Sequence, residues 1–264
     1  MSKHKEKASS RANPTGEMSL SDHLREMKNR ILVCIVLFLV VTIIGLNYAS
    51  DLVEMFLDLG AECNYEFVYI APQELLMQYF TVSFVIAGCV TVPVLLYEIW
   101  AFVRPGLKKS ENLLFMLTLI FGLLCFVIGV LFAYNIMVPF MLNFLDSLSE
   151  GSSVSGTISV EKYLGFILTV LVIFGVVFEL PVVSVLLNRL GILKVEWMKK
   201  GRRVVIVVIF VIAALISPPD VVSQIMVAIP MIGLYELSIL LCSVCARFFG
   251  EKKRQKEIEE EEDG

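Results

Sequence analysis

Residues 31–49 read ILVCIVLFLVVTIIGLNYA, nineteen consecutive positions with no charge, no proline and no alternation of apolar with polar side chains. A half-buried strand would alternate, and strands are rarely this long. Wound as a helix, the stretch reaches about 28 Å at roughly 1.5 Å per residue, close to the ~30 Å hydrocarbon core of a bilayer. Five further runs of the same kind follow, at 75–102, 113–138, 163–187, 204–216 and 221–242. Their continuous apolar character excludes a membrane barrel, whose strands alternate. The expected fold is all-α, a polytopic membrane protein with six transmembrane helices.

Composition agrees with that reading. Of the 264 residues, 57% are hydrophobic and 18% charged, and the mean hydropathy is +0.80. One soluble core cannot hide so much apolar surface, which excludes a soluble enzyme. A net charge of −4 supplies no basic domain for a nucleic-acid partner. The fifth run has only 13 residues before Ser217-Pro218-Pro219-Asp220. It reads as a short span that thins the bilayer rather than as a re-entrant helix, and the sixth span is also read as short. Pro93, Pro181 and Pro230 each remove an amide donor inside a run, so kinked helices are expected.

Lys and Arg sort the connections. Residues 1–30 hold seven, 103–112 three, 188–203 six and 243–264 five, leaving Lys162 as the single exception among 22. The intervening segments 50–74, 139–162 and 217–221 hold ten acids, among them Asp51, Glu54, Asp58, Glu74 and Asp220. By the positive-inside rule both termini are cytoplasmic, and an even number of spans agrees. The chain then divides into a polar cytoplasmic leader at 1–20, a six-helix transmembrane domain at 21–245 and a charged cytoplasmic tail at 246–264. The leader lacks the apolar core and cleavage site of a signal peptide, so the first span reads as an uncleaved anchor. The tail ends in Glu259-Glu260-Glu261-Glu262-Asp263 and reads as solvated or disordered.

The residue inventory leaves little room for catalysis. The two histidines, His4 and His23, both lie in the leader, so a serine–histidine dyad among the spans has no base. No Asp lies in a span, which excludes the facing carboxylates of an aspartyl intramembrane protease. No phosphate-cradling glycine loop ends in Lys-Ser or Lys-Thr. Cys34, Cys89, Cys125, Cys242 and Cys245 lie in spans or at a span end, and Cys63 stands alone outside, so neither a disulfide framework nor a metal site is expected. The expectation is a non-enzyme without metal or other cofactor.

The ionisable groups inside runs are Glu98, Glu179 and Glu236. Each should face protein or water, because a carboxylate facing lipid is costly. Glu98 lies a turn from the run's end and can snorkel; Glu236 is deeper and suits a structural hydrogen bond. Glu179 precedes Leu180-Pro181 near mid-run, where the proline frees a carbonyl beside a carboxylate that must find a partner. Two charged edges flank the first spans. Ser21 to Arg30 form an amphipathic lead-in that Ser21 or Asp22 can cap; at Trp100 to Glu111, Pro105-Gly106 breaks one helix and Ser110 can cap the next.

These motifs, in this order, resemble the TatC family, the multispanning receptor subunit of the twin-arginine protein translocase. The lead-in His23-Leu24-Arg25-Glu26-Met27-Lys28-Asn29-Arg30 is similar to the family's His-Leu-x-Glu-Leu-Arg-x-Arg. Further matches are Pro93 with Tyr97, Trp100-x-Phe102-x-x-Pro105-Gly106-Leu107 with Glu111, Phe178-Glu179-Leu180-Pro181, and Ser217-Pro218-Pro219-Asp220 with Gln224 and Ile229-Pro230-Met231. Met27 and Lys28 depart mildly from Leu and Arg, and 51–60 lacks a proline often found there.

The resemblance implies a receptor for signal peptides carrying paired arginines on folded cargo. It implies single-span TatA and TatB-type partners, a homo- or hetero-oligomer, the proton-motive force as driver, and a cell membrane surrounded by lipid. Glu26 and Glu111 would bind the signal peptide, each holding a guanidinium in a bidentate fork that lysine lacks. Glu179 would be an intramembrane polar anchor, and Ser217, Asp220 and Gln224 would help dock a partner helix. His23, Trp100, Phe102, Pro105, Pro181 and Pro218 would be structural support. Arg25 and Lys28, cationic and near that pocket, would repel a paired-arginine ligand unless they turn away or bind lipid phosphate. The alternative is a proton- or ion-coupled transporter of small solutes using Glu179 and Glu236.

Overall fold

The computed structural model describes residues 20–61, 65–103, 112–149, 157–189, 191–217 and 220–262. Among them the chain is all-α except for one short pair of strands. Helix α1 (Leu20–Asn47) carries the first run and already includes Ser21 and Asp22, so neither is the residue preceding the helix. Helix α2 (Ala49–Ala61) occupies what the charge pattern treats as an outer loop. Its buried Val53, Phe56 and Gly60 recur at helical spacing, while Asp51, Glu54 and Asp58 stay exposed on the other side.

Strand β1 (Glu66–Val68) pairs in parallel with β2 (Thr157–Ser159), with Phe67 opposite Ile158. Between them in sequence lie α3 (Glu74–Val103), α4 (Asn112–Phe132) and α5 (Val138–Ser149). A π-helical turn, Ala133–Met137, joins α4 to α5 without a break. After β2 come α6 (Val160–Phe178), α7 (Leu180–Arg189), α8 (Val195–Ile216) and α9 (Val221–Glu262). Helices α3 and α9 run on through Pro93 and Pro230. At Pro181 the ladder breaks instead: α6 ends at Phe178, and Pro181 has no N–H to give the Val177 carbonyl one turn back.

Among the described residues, five helical stretches are long and apolar enough to cross a membrane: Arg25–Asn47, Glu74–Ile99, Thr118–Ser147, Val160–Arg189 and Val221–Ala246. The fifth sequence run, 204–216, forms the later half of α8, behind Glu196, Lys199, Lys200, Arg202 and Arg203. The expectation of a short sixth span is corrected here. Its apolar part covers 26 residues, about 39 Å of helix, and α9 then continues through the charged tail to Glu262.

The core gathers on α6, where Leu164, Ile167, Val170 and Phe174 are fully buried. Helix α6 packs against α3 and α4, while α7 and α8 lie on α9. Peripheral α1 leans mainly on α3 and leaves Leu32, Val36, Leu39 and Ile43 open to the surroundings, as expected of a helix in lipid. Small residues set the α1–α3 contact: a Cβ on Gly45 would lie 3.3 Å from that of Ser83.

The end remote from the start of α1 is closed by one carboxylate. Glu74 accepts from the backbone N–H of Ile70 at 2.8 Å and of Glu161 at 2.9 Å, and from the Ser159 hydroxyl. A weaker bond from the Ala71 N–H, at 3.4 Å, completes the set. Glu74 thus ties the turn after β1 to the start of α6. The Tyr163 hydroxyl donates to the Phe56 carbonyl at 2.8 Å and fixes α2 over the same end. Glu74→Ala leaves those donors without an acceptor, so we expect a lower thermal midpoint in detergent and faster amide exchange at 70–71 and 161. Unchanged exchange there would refute the clamp.

Candidate functional site

The first turns of α1 and the last turns of α3 meet in a group of three charged side chains. Glu26 and Arg30 sit four residues apart on α1, the order in which a carboxylate N-terminal to a cation pairs best. The Arg30 Nη2 donates to Glu26 Oε1 at 2.6 Å, and Nε donates to the same oxygen at 3.2 Å. From α3, Glu98 Oε2 accepts from Arg30 Nη1 at 2.7 Å, and the Ala101 carbonyl accepts from Nη2 at 3.3 Å. All three guanidinium nitrogens are used. The side chains keep 24% (Arg30), 27% (Glu26) and 15% (Glu98) of their exposure, so the cluster is sheltered but not sealed.

Beside it lies a cavity of about 300 Å³ lined by Met27, Ile31, Cys34, Leu95 and Ile99, with Arg30 and Glu98 at its polar side. Arg25 and Lys28 are exposed and make no ion pair recorded among the described residues, in keeping with their turning away from this site. One arginine between two carboxylates leaves the trio with one net negative charge. Chemically, this is a place built to hold a guanidinium beside an apolar chain.

The other expected residues divide among several positions. Glu111, Pro105 and Pro218 lie outside the described residues, as does Cys63. His23 belongs to α1, and Trp100 and Phe102 to α3, by their backbones. Glu179 sits at the break between α6 and α7, is 5% exposed, and neither carboxylate oxygen has a hydrogen-bond partner among the described residues. Its Oε2 lies 3.1 Å from where a Cβ on Gly122 would be, a tight approach between the carboxylate and α4. Pro181 is buried beside it.

Ser217, Asp220 and Gln224 are engaged within the chain. The Ser217 hydroxyl donates to the Ala213 carbonyl at 3.0 Å. Asp220 Oδ1 accepts from the Ser223 N–H at 2.7 Å, capping the start of α9. That bond holds the Asp220 carboxyl below its ordinary pKa. Gln224 Nε2 donates to the Phe210 carbonyl at 2.8 Å and stitches α9 to α8. Glu236 pairs with Arg202 of α8 at 2.8 Å, both sides nearly half exposed. Glu179 and Glu236 therefore have separate surroundings, one unpartnered among the described residues at a helix break and the other paired with Arg202.

Sequence reasoning missed three contributors. The Glu26–Arg30 spacing was a readable signal; the Arg30–Glu98 contact joins residues 68 positions apart and had none. Glu74 counted only as one outer acid among ten.

A family model described as Sec-independent protein translocase protein (TatC) matches residues 22–230. The chain is 34% identical over 244 residues to the Sec-independent protein translocase protein TatC of Listeria innocua, covering 91% of this chain and 98% of that one. It is also 34% identical over 245 residues to the TatC of Aquifex aeolicus, covering 92% and 99%. A crystal structure of the twin-arginine translocase receptor TatC resembles it with a TM-score of 0.75 at 34% identity, over 84% of this chain and 98% of that one. The family match spans both the Glu26–Arg30–Glu98 cluster and the Glu179 break, and with five apolar spans this multi-pass membrane protein belongs to the TatC family.

Proposed function

We propose that this chain is the signal-recognising subunit of a twin-arginine translocase, binding the paired arginines of signal peptides on folded cargo through Glu26 and Glu111. The observation that carries the reading is chemical: Glu26 already grips a guanidinium through two of its nitrogens, in a half-sheltered pocket with an apolar cavity alongside. The topology that goes with it has six spans, α8 supplying the short fifth one, and both termini in the cytoplasm. The distribution of Lys and Arg supports that orientation. Partners are TatA and TatB-type single-span subunits in the cell membrane, with the proton-motive force as driver. Glu179, and the turn held by Ser217, Asp220 and Gln224, serve partner contacts.

The test is binding of an Arg-Arg signal peptide and its Lys-Lys counterpart to the protein in lipid. Arg-Arg should bind more tightly, because only a planar fork satisfies a carboxylate bidentately. Glu26→Ala and Glu111→Ala should each weaken it by roughly tenfold to a hundredfold, the equivalent of about 1.5–3 kcal/mol for a partly desolvated charged hydrogen bond. Equal binding of both peptides by folded protein and by both variants would dismiss the receptor reading.

A further inference from the structure

The cluster that should receive a signal arginine is occupied by an arginine of the chain itself. We infer that Arg30 is a resident competitor for Glu26, and that Glu98 is a further positioning residue for peptide binding, holding Arg30 when an incoming arginine takes Glu26. The inference rests on the receptor reading. Its basis is the shared guanidinium: Nη2 and Nε lie on Glu26 while Nη1 lies on Glu98, 2.6 Å and 2.7 Å away at the closest.

Without Glu98, releasing Glu26 would leave Arg30 unpaired in a half-buried site, which is strongly unfavourable. With Glu98, Arg30 has only to rotate from one carboxylate towards the other. The net negative charge of the trio then meets the second guanidinium with no further rearrangement. A ligand must displace a forked, charge-assisted contact, and a lysine offers a point charge in place of that fork. An internal competitor lowers apparent affinity by the fraction of molecules in which the site is free. The penalty falls equally on both ligands, so Arg30 sets the affinity while the arginine-over-lysine preference comes from the fork at the carboxylate.

The contact has a plainer interpretation, in which Arg30 merely props Glu26 in place. The two differ in the sign of one effect. With Arg30→Gln, a competitor is removed, so the Arg-Arg peptide should bind more tightly, by about tenfold if Glu26 is otherwise free in one molecule in ten. The Lys-Lys peptide should gain by the same factor, leaving the preference itself unchanged. Glu98→Gln should weaken Arg-Arg binding, because Arg30 then leaves Glu26 less readily. The double variant should bind like Arg30→Gln alone, a non-additivity expected only if Glu98 acts through Arg30.

Binding would be measured on lipid-reconstituted protein, with thermal unfolding checking each variant and Arg30→Lys, which keeps the charge and loses the fork, standing in if Arg30→Gln does not fold. Tighter binding by Arg30→Gln, or binding by it where the wild type shows none, supports the inference. Weaker binding by Arg30→Gln beside an Arg-selective wild type overturns it and leaves the receptor reading intact. No Arg-Arg preference in any folded variant overturns both.

Discussion

Gly129→Ala is expected to be among the most destabilising single substitutions in the chain, lowering the thermal midpoint in detergent and the yield of folded protein. Gly129 lies where α4 crosses α6. A Cβ there would sit 2.7 Å from the Cβ of Phe178 and 2.8 Å from the Phe174 carbonyl oxygen. A side-chain tip can swing aside, but a helix backbone cannot, so the two helices must separate. Phe132 packs with tilted rings against Phe174 and Phe178, centroids 5.6 and 5.4 Å apart, and that packing would open with them. Overpacking of this kind costs about 1–3 kcal/mol and can exceed it when backbone must move. Gly165→Ala on the facing helix is the control, since a Cβ there meets nothing within 4 Å. Equal midpoints for the two variants would refute the close-crossing account.

Glu179→Met should separate folding from function. The carboxylate is 5% exposed, neither oxygen is partnered, and its surroundings include Leu96, Leu119, Val182 and Val183. A buried polar group without a bond costs on the order of 1–3 kcal/mol, so an unbranched apolar side chain of similar length should raise the thermal midpoint. Export of a twin-arginine substrate should fall to background, because a group kept at such cost belongs to function rather than to the fold. Glu179→Gln, which keeps a hydrogen-bonding group, should retain part of the export. A lower midpoint for Glu179→Met would mean that the carboxylate is a structural tie after all. Unchanged export would remove it from the mechanism.

The break at Glu179 was legible because it depends on one residue type. Proline lacks an amide hydrogen wherever it falls, and Pro181 stands two residues beyond. At Pro93 and Pro230 the same missing amide does not end the helix, and α3 and α9 continue through both. In those helices neighbouring turns carry the ladder on. Helix α2 was missed although Val53, Phe56 and Gly60 have helical spacing, because a run of 13 residues with three acids scores as an outer loop on hydropathy alone. Strands β1 and β2 were invisible for another reason. Three residues each cannot show a period, and their pairing is fixed by Glu74 and Tyr163, which act across the fold.

By itself the sequence determined the helical class and the apolar spans, because the cost of an unpaired peptide group in hydrocarbon admits no other continuous solution. The four-residue spacing of Glu26 and Arg30 also permits their contact, although that pairing was not read from it. Tertiary structure alone decided that Glu98 shares that guanidinium and that Gly129 must lack a side chain. It likewise decided that Glu236 is satisfied by Arg202 while Glu179 has no partner. Each of those outcomes depends on how two separated helices are set against each other. That relation comes from the packing of whole surfaces, and no local spacing encodes it.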